Sequence, residues 1–537
     1  MKLSTHIATT ILGLSLLTIL NACGGGGGSS GVGTGGNSGN TTPPVVTGPA
    51  WLSFAHDAQH TALAPSTAQG GVGAQNLNQI IWEATVDLAP PAGNTAIHYG
   101  SPLITANNTV VIPVKTTANG NFQVQARSGY NGNLLWSANS DYILPAYDWI
   151  PSFGAVLTAA NRLYLPGSGG KLYYRDNTDS AGGNLQTVVF YGAGAYAAAS
   201  STFDANVYIN TPLTADASGN VFFGFIVTGT NPVNLVSGFA RVASNGTATW
   251  VAANTAAGQA GTVNGAMNAA PAVSSDGKTV YVSVRTGAPS STSGTGTGYL
   301  LALDSSTLAT KGVAQLTDPY TGAPAWVTDD STASPLVGPD GDVYYGVLES
   351  NFPDHNARGW LLHFDATLTL QKTPGAFGWD DTPSIVPASA VTSYTGSSSY
   401  LLLSKYNNYA DFPNGDGKNR MAILDPNATE ADPVEGNTVM KEVMTVLGVT
   451  PDANFPNKPG AVKEWCINTA AVDPVTHSAF FNSEDGTLYR WDLSTGRLSQ
   501  KIWLDNGYGQ AYTPTALGPD GAIYSINAGS LFAVRTK

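Results

Sequence analysis

Ser334-Pro335-Leu336-Val337-Gly338-Pro339-Asp340-Gly341-Asp342-Val343-Tyr344-Tyr345-Gly346-Val347 reads as two short strands joined by a tight turn. A small residue and a proline lead into an apolar step, Asp-Gly supplies the turn, and a β-branched and aromatic run follows. The same order of features recurs along the chain. The apolar steps stand at Ser101-Pro102-Leu103-Ile104, Gly154-Ala155-Val156-Leu157, Thr211-Pro212-Leu213-Thr214, Ala270-Pro271-Ala272-Val273, Ser334-Pro335-Leu336-Val337, Thr382-Pro383-Ser384-Ile385, Thr469-Ala470-Ala471-Val472 and Thr513-Pro514-Thr515-Ala516. Their spacing averages about 59 residues. Units that recur at such a period and cannot each bury a core alone stack on one another. The chain is therefore expected to be all-β, a single eight-bladed β-propeller over residues 51–537.

Outward from each step, the second strands are plain: Val110-Val111-Ile112, Val221-Phe222-Phe223, Val280-Tyr281-Val282, Leu401-Leu402-Leu403 and their counterparts. Asp276-Gly277 and Asp520-Gly521 repeat the turn chemistry of Asp340-Gly341. Third strands follow, for example at Trp360 to Asp365 and Arg420 to Asp425, and a fourth is visible at Leu134-Leu135-Trp136. The last repeat reaches Lys537 directly after its third strand. Gln79-Ile80-Ile81-Trp82-Glu83-Ala84 has the character of the strand it lacks, so the ring is predicted to close by pairing this N-terminal strand with the C-terminal blade.

Composition narrows the partners. With 36 acidic and 23 basic residues the formal charge is -13, which repels phosphate and argues against nucleic acid. Sixty-two glycines and few charges suit short strands and frequent turns, and long helices are not expected. Lys2, an apolar run from Ile11 to Leu20, and Leu20-Asn21-Ala22-Cys23 are too short for a membrane span and have the shape of an export signal. They resemble a bacterial lipoprotein signal over residues 1–22, with Cys23 the lipidated residue. A plain secretory leader is the other reading, and both export the chain. Gly24 after the cysteine implies, by the same resemblance, the outer membrane. Residues 23–50 beyond it are Gly-, Ser-, Thr- and Pro-rich and read as a tether. The only other cysteine is Cys466, so the mature body has no intrachain disulfide available.

Two patterns resemble a known family. Trp51-Leu52-Ser53-Phe54-Ala55-His56-Asp57-Ala58-Gln59-His60-Thr61 looks like the opening segment of PQQ-like propellers, the quinoprotein alcohol dehydrogenase-like superfamily. Ala126, Ser128, Asn131, Gly132 and Trp136 are a degenerate copy of its blade signature, and Asp492, Thr495 and Gly496 a fainter one. The block from Lys405 to Tyr409, with Glu464-Trp465-Cys466-Ile467-Asn468 and Ser483-Glu484-Asp485-Gly486, resembles bacterial envelope proteins that carry such repeats. The superfamily's dehydrogenases hold PQQ with Ca²⁺ or a lanthanide, an Asp base, a Trp floor and, in many, a disulfide between adjacent cysteines. That cysteine pair is absent here, as is the haem-attachment pattern C-x-x-C-H.

In a propeller the entrance of the innermost strand and the exit of the second open on one face. The residues expected on that rim are His98, Lys115, Arg285, Glu349, Asp381, Lys405, Tyr406, Asn408, Glu464, Trp465, Asn468 and Glu484, with Asp148, Asn210 and Asn268 nearby. Mixed signs suit a small polar ligand or an envelope protein better than a polyanion. Each of these residues would equally serve to satisfy loop backbone. Glu464, Asn468 and Asp381 would be the oxygen donors for a hard cation, and Trp465 or Trp379 the stacking surface, if PQQ and Ca²⁺ were bound. Asp411 to Asn419 resembles a calcium loop but is one position out of register and lacks the closing Glu, which favours a turn. His56 and His60 lack a third metal ligand, which favours packing. The leading expectation is an exported, lipid-anchored binding or scaffold propeller with no assigned metal site. The alternative is a PQQ- and Ca²⁺-dependent oxidoreductase.

Overall fold

The computed structural model describes residues 45–90, 100–117, 120–145, 153–261, 263–287, 295–328, 331, 333–351, 358–406, 408, 415–465, 467–505 and 513–537. His98, Asp148, Cys23 and Cys466 lie outside the described residues. So do 411–414 of the calcium-like stretch.

Strand makes up 44% of the chain and helix 6%, and the strands form eight small sheets arranged as an eight-bladed propeller. Blade 1 shows the plan. Leu103–Ile104, Thr109–Thr117, Gly120–Ser128 and Leu134–Ile143 pair antiparallel in that order, from the innermost strand a to the outermost strand d. Strand a is short and fully buried, strand b is buried almost throughout, and strand d alternates exposed and buried residues. That gradient follows from position, because strand d has solvent on its outer edge.

The ring closes as the sequence predicts. Gln79–Thr85 pairs antiparallel with Ser530–Arg535, Ile80 opposite Val534 and Ala84 opposite Leu531. The N-terminal strand thus completes blade 8 beside Ile523–Asn527 and Ala516–Leu517.

The signature residues act between blades. Trp82 of blade 8 lies over Gly132 of blade 1, where a Cβ would meet the indole at 2.7 Å. Gly132 also has φ +73°, so both space and backbone call for glycine. The Trp82 indole donates to Gly129 O at 2.9 Å, and Trp136 repeats the move one blade on, donating to Thr178 O at 2.8 Å. The recurring Ser/Thr-Pro has a similar use. Ser334 Oγ accepts from Ala270 N at 2.9 Å, and Thr382 Oγ1 accepts from Ser334 N at 2.9 Å, stitching blades 4, 5 and 6 together near the axis.

Four blades depart from the simple plan. In blades 3 and 4 the innermost strand is split, Val207–Ile209 from Thr214–Ala215 and Val263–Gly265 from Ala272–Val273. Pro212 and Pro271 have no N–H for the ladder, and in blade 3 the Thr211 hydroxyl accepts from Gly224 N at 2.8 Å instead. Blade 5 has only three full strands, and Gln371 and Gly375 touch its third strand, Trp360–Phe364, by isolated bridges. Blade 6 runs long: its third strand extends over Arg420–Ala431 and pairs with Thr438–Leu447, with a bulge between Asp425 and Thr429. The hairpin beyond that bulge leans on blade 5. Met440 N donates to Pro374 O at 2.8 Å, and Val439 and Met440 join blade 5's apolar core.

The segment from Trp51 to Gln75 crosses the end of the ring where strand a turns into strand b. It touches every blade: Trp51 bridges Ile104, and the N–H groups of Leu157, Val273, Val337, Ile385 and Val472 donate to carbonyls of Leu52, Ala58, Gln59, Thr61 and Ala62 at 2.7–2.9 Å. His60 Nε2 accepts from Thr214 Oγ1 at 3.4 Å, and Gln75 N donates to Gly521 O at 2.8 Å. Phe54, Ala55, Ala62 and Ala270 form a small apolar core beneath it. His60 is fully buried and its Nδ1–H donates to Pro335 O at 2.8 Å. Burial outweighs that bond and holds the imidazole down at about 4. His56 and His60 therefore belong to the packing of a plug.

Candidate functional site

With one end of the ring plugged, the opposite end, where strand a enters and strand b leaves, is the face on which the rim residues can be compared. At blade 1, Lys115 sits near the end of strand b and its Nζ lies 2.9 Å from Asp87, both groups buried. At blade 4, Arg285 is buried near the end of strand b and donates to Thr286 O at 3.2 Å. These two stand on separate blades.

Blade 6 gathers more. Lys405, almost fully buried, lies 3.4 Å from Asp380 through Nζ. The neighbouring Asp381 accepts from Ser404 Oγ at 2.6 Å. Burial pushes the Asp381 carboxyl up to about 7, although the nearby Lys405 charge and the Ser404 bond both favour its ionised form. Thr382 N donates to Asn468 O at 3.1 Å, so Asp381 and the buried Asn468 of blade 7 adjoin. Glu484 N donates to Glu464 O at 3.2 Å, and the Ser483 hydroxyl donates to the same carbonyl at 3.0 Å, which ties the two glutamate loops by backbone. Trp465 has no exposed surface. It meets Phe481 and Tyr489 edge-on, and its indole donates to Asn419 O at 3.2 Å.

A second cluster lies between blades 5 and 6. Arg358, 2% exposed, forks onto Asp432 of the recurved hairpin, Nη1 to Oδ2 at 2.9 Å and Nη2 to Oδ1 at 2.7 Å. Its Nη2 also donates to Ala376 O at 2.7 Å and to the Tyr406 hydroxyl at 3.3 Å. Glu349 and Glu435 lie behind this pair. Burial, then the Glu435 charge, push the Glu349 carboxyl up to about 8. Arg358, Asp432 and Glu435 were missed by sequence reading. Arg358 precedes a third strand and was findable as a loop residue on that face. Asp432 and Glu435 sit in a turn between outer strands, and only the bend of the hairpin brings them inward.

No protein-family model matches the chain, and no curated protein matches it. Solved structures do. A europium-containing methanol dehydrogenase superposes with a TM-score of 0.52 at 11% identity, covering 89% of this chain and 89% of its own. The quinohemoprotein alcohol dehydrogenase from Comamonas testosteroni gives 0.52 at 13% identity, covering 90% of this chain and 80% of its own. BamB from Moraxella catarrhalis gives 0.43 at 12%, covering 85% and 99%. The chain shares the eight-bladed β-propeller fold of these dehydrogenases.

That fold is compatible with PQQ and a cation, but the described residues do not assemble a site for them. Trp465 is sealed against Phe481 and Tyr489 and presents no free ring face. Asp380 faces Lys405. Among the described residues no group of three His, Cys, Asp or Glu side chains could hold a metal ion. The loop end of the ring holds, among the described residues, several buried charges matched to one another.

Proposed function

We propose that this protein is an exported, lipid-anchored propeller of the bacterial envelope that binds a polar ligand or a protein partner through its loop face and carries out no redox chemistry. The observation that carries the reading is the internal pairing of the loop-end charges. Lys115 with Asp87, Lys405 with Asp380 and Arg358 with Asp432 lie within 2.7–3.4 Å, so these charges shape a fixed surface rather than wait for a charged cofactor. The plug adds to it by covering the turn end of the ring. The rim residues His98, Glu464 and Glu484 are assigned to partner contact, and Cys23 to acylation with sorting to the outer membrane.

Photo-crosslinking from Glu484 in intact bacterial envelopes tests the reading, and one discrete adduct is expected. Radiolabelled palmitate should enter the full chain and be lost in Cys23→Ala. Dye-linked alcohol or sugar oxidation after PQQ and Ca²⁺ addition, abolished by Glu464→Ala, would replace this reading with an oxidoreductase.

A further inference from the structure

Beside the recurved hairpin of blade 6, where the second strand ends at Tyr406 and the third begins at Arg420, lies a pocket of about 580 Å³. Pro433 and Val434 of the hairpin and the ring of Tyr406 give it an apolar wall. Opposite stand three charged groups, Asp416, Arg420 and Glu442, and the amide of Asn408.

Asn408 is 7% exposed, and its backbone is fixed on both sides: its N–H donates to Asn419 Oδ1 at 2.9 Å and its carbonyl accepts from Gly417 N at 2.7 Å. Its side-chain Oδ1 has no hydrogen-bond partner. A buried acceptor left in that state costs about 1–3 kcal/mol, so a turn of the Asn408 amide toward a ligand N–H in the pocket is favoured by what it relieves. Two carboxylates reinforce the preference for a cationic donor. Asp416 uses one oxygen on Lys418 N, and Glu442 accepts from Thr445 Oγ1, which leaves acceptor capacity on each. Arg420 supplies the opposite sign. Its Nη1 is held by Lys418 O at 2.8 Å, but its Nη2 lies 3.4 Å from Asp416, long for a charge-assisted bond. A simple cation would leave that guanidinium unmatched, and a simple anion would face two carboxylates.

We propose that this pocket binds a free α-amino acid with an apolar side chain. Its ammonium goes to Asn408 and the carboxylates, its carboxylate to Arg420, and its side chain to Pro433, Val434 and Tyr406. Tyr406 and Asn408 are among the residues expected on the rim, so the pocket borders the loop face; the crosslink from Glu484 on blade 7 tests the loop-face reading independently of it.

Calorimetric titration of the purified full chain with L-leucine, N-acetyl-L-leucine and L-leucinamide tests it. L-leucine should bind, and N-acetyl-L-leucine, which lacks the ammonium, should bind more than ~10-fold more weakly. L-leucinamide, which lacks the carboxylate, should lose less. In Arg420→Ala, on a half-exposed side chain, leucine and leucinamide should become equal while the acetylated compound stays weak. Glu442→Gln should weaken both ammonium-bearing ligands. Equal binding of leucine and N-acetyl-L-leucine, or no heat from leucine with folded protein, would overturn the proposal.

Discussion

The two ends of the ring are held in order by different means. At the turn end, a stretch of backbone offers its carbonyls to the second residue of the innermost strands of blades 2, 4, 5, 6 and 7, Leu157, Val273, Val337, Ile385 and Val472, and the fully enclosed His60 there is a neutral imidazole. At the loop end, order comes from side-chain charge: Arg358 on Asp432, Lys405 on Asp380, Lys115 on Asp87. Backbone contacts tolerate a change of side chain. Buried ion pairs do not, because removing one partner strands the other in a medium of low dielectric constant.

The largest effect expected from breaking this contrast is loss of the ring itself. Deleting residues 74–87 removes the strand paired with Ser530–Arg535 and exposes the outer edge of blade 8. Cooperative thermal unfolding should disappear and aggregation should follow, as read by calorimetry and light scattering. Next is Arg358→Ala, which leaves Asp432 buried and uncompensated and should cost about 3–5 kcal/mol in denaturant unfolding. A double variant with Asp432→Ala should recover a large part of that loss, whereas additive losses would mean the pair does not matter.

The ends should also answer pH in opposite senses. His60 is lowered to about 4 in the folded protein, so its contribution is complete above the ordinary histidine value of 6.5 and fades as pH falls toward 4. Glu349 is raised to about 8, and Asp381 to about 7. The folded protein holds their protons more tightly than the unfolded chain, so their contribution is complete at low pH. It fades as pH rises from about 4.5 to 8 for Glu349 and from about 3.8 to 7 for Asp381. Hydrogen exchange should show the plug amides loosening in acid and the blade 5–6 seam loosening in mild base. Glu349→Gln should flatten only the second response. The smallest expected change is in Tyr281→Phe, which removes a 2.7 Å bond to Ala366 O between blades 4 and 5 and should cost about 1 kcal/mol.

The contrast also explains what the sequence made legible. Asp340-Gly341 and the runs Val343 to Tyr345 specify a turn and a strand from local chemistry alone, and Trp82 and Trp136 repeat at matching places, so ring, blade number and closure could be read directly. The plug was anticipated only as packing of His56 and His60. Its bonds to the blades are mostly carbonyls, which every residue carries. The loop-end pairs were half legible. Lys115 and Lys405 were placed on the rim, but Asp432 joins Arg358 only because three residues bulge after Asp425. Trp465 illustrates the limit from the other side. Its position beside Glu464 suggested a stacking surface, and its packing with Phe481 and Tyr489 depends on a strand alternation that one residue type does not reveal.

The pairing of Gln79–Thr85 with Ser530–Arg535 sets a clock on folding. Joining strands about 450 residues apart carries a loop-closure cost on the order of 5 kcal/mol, met only once nearly the whole polypeptide is available. A chain emerging N-terminus first holds seven finished blades and one strand with no mate. Through that interval the unmated edge is exposed to pairing with a neighbour's.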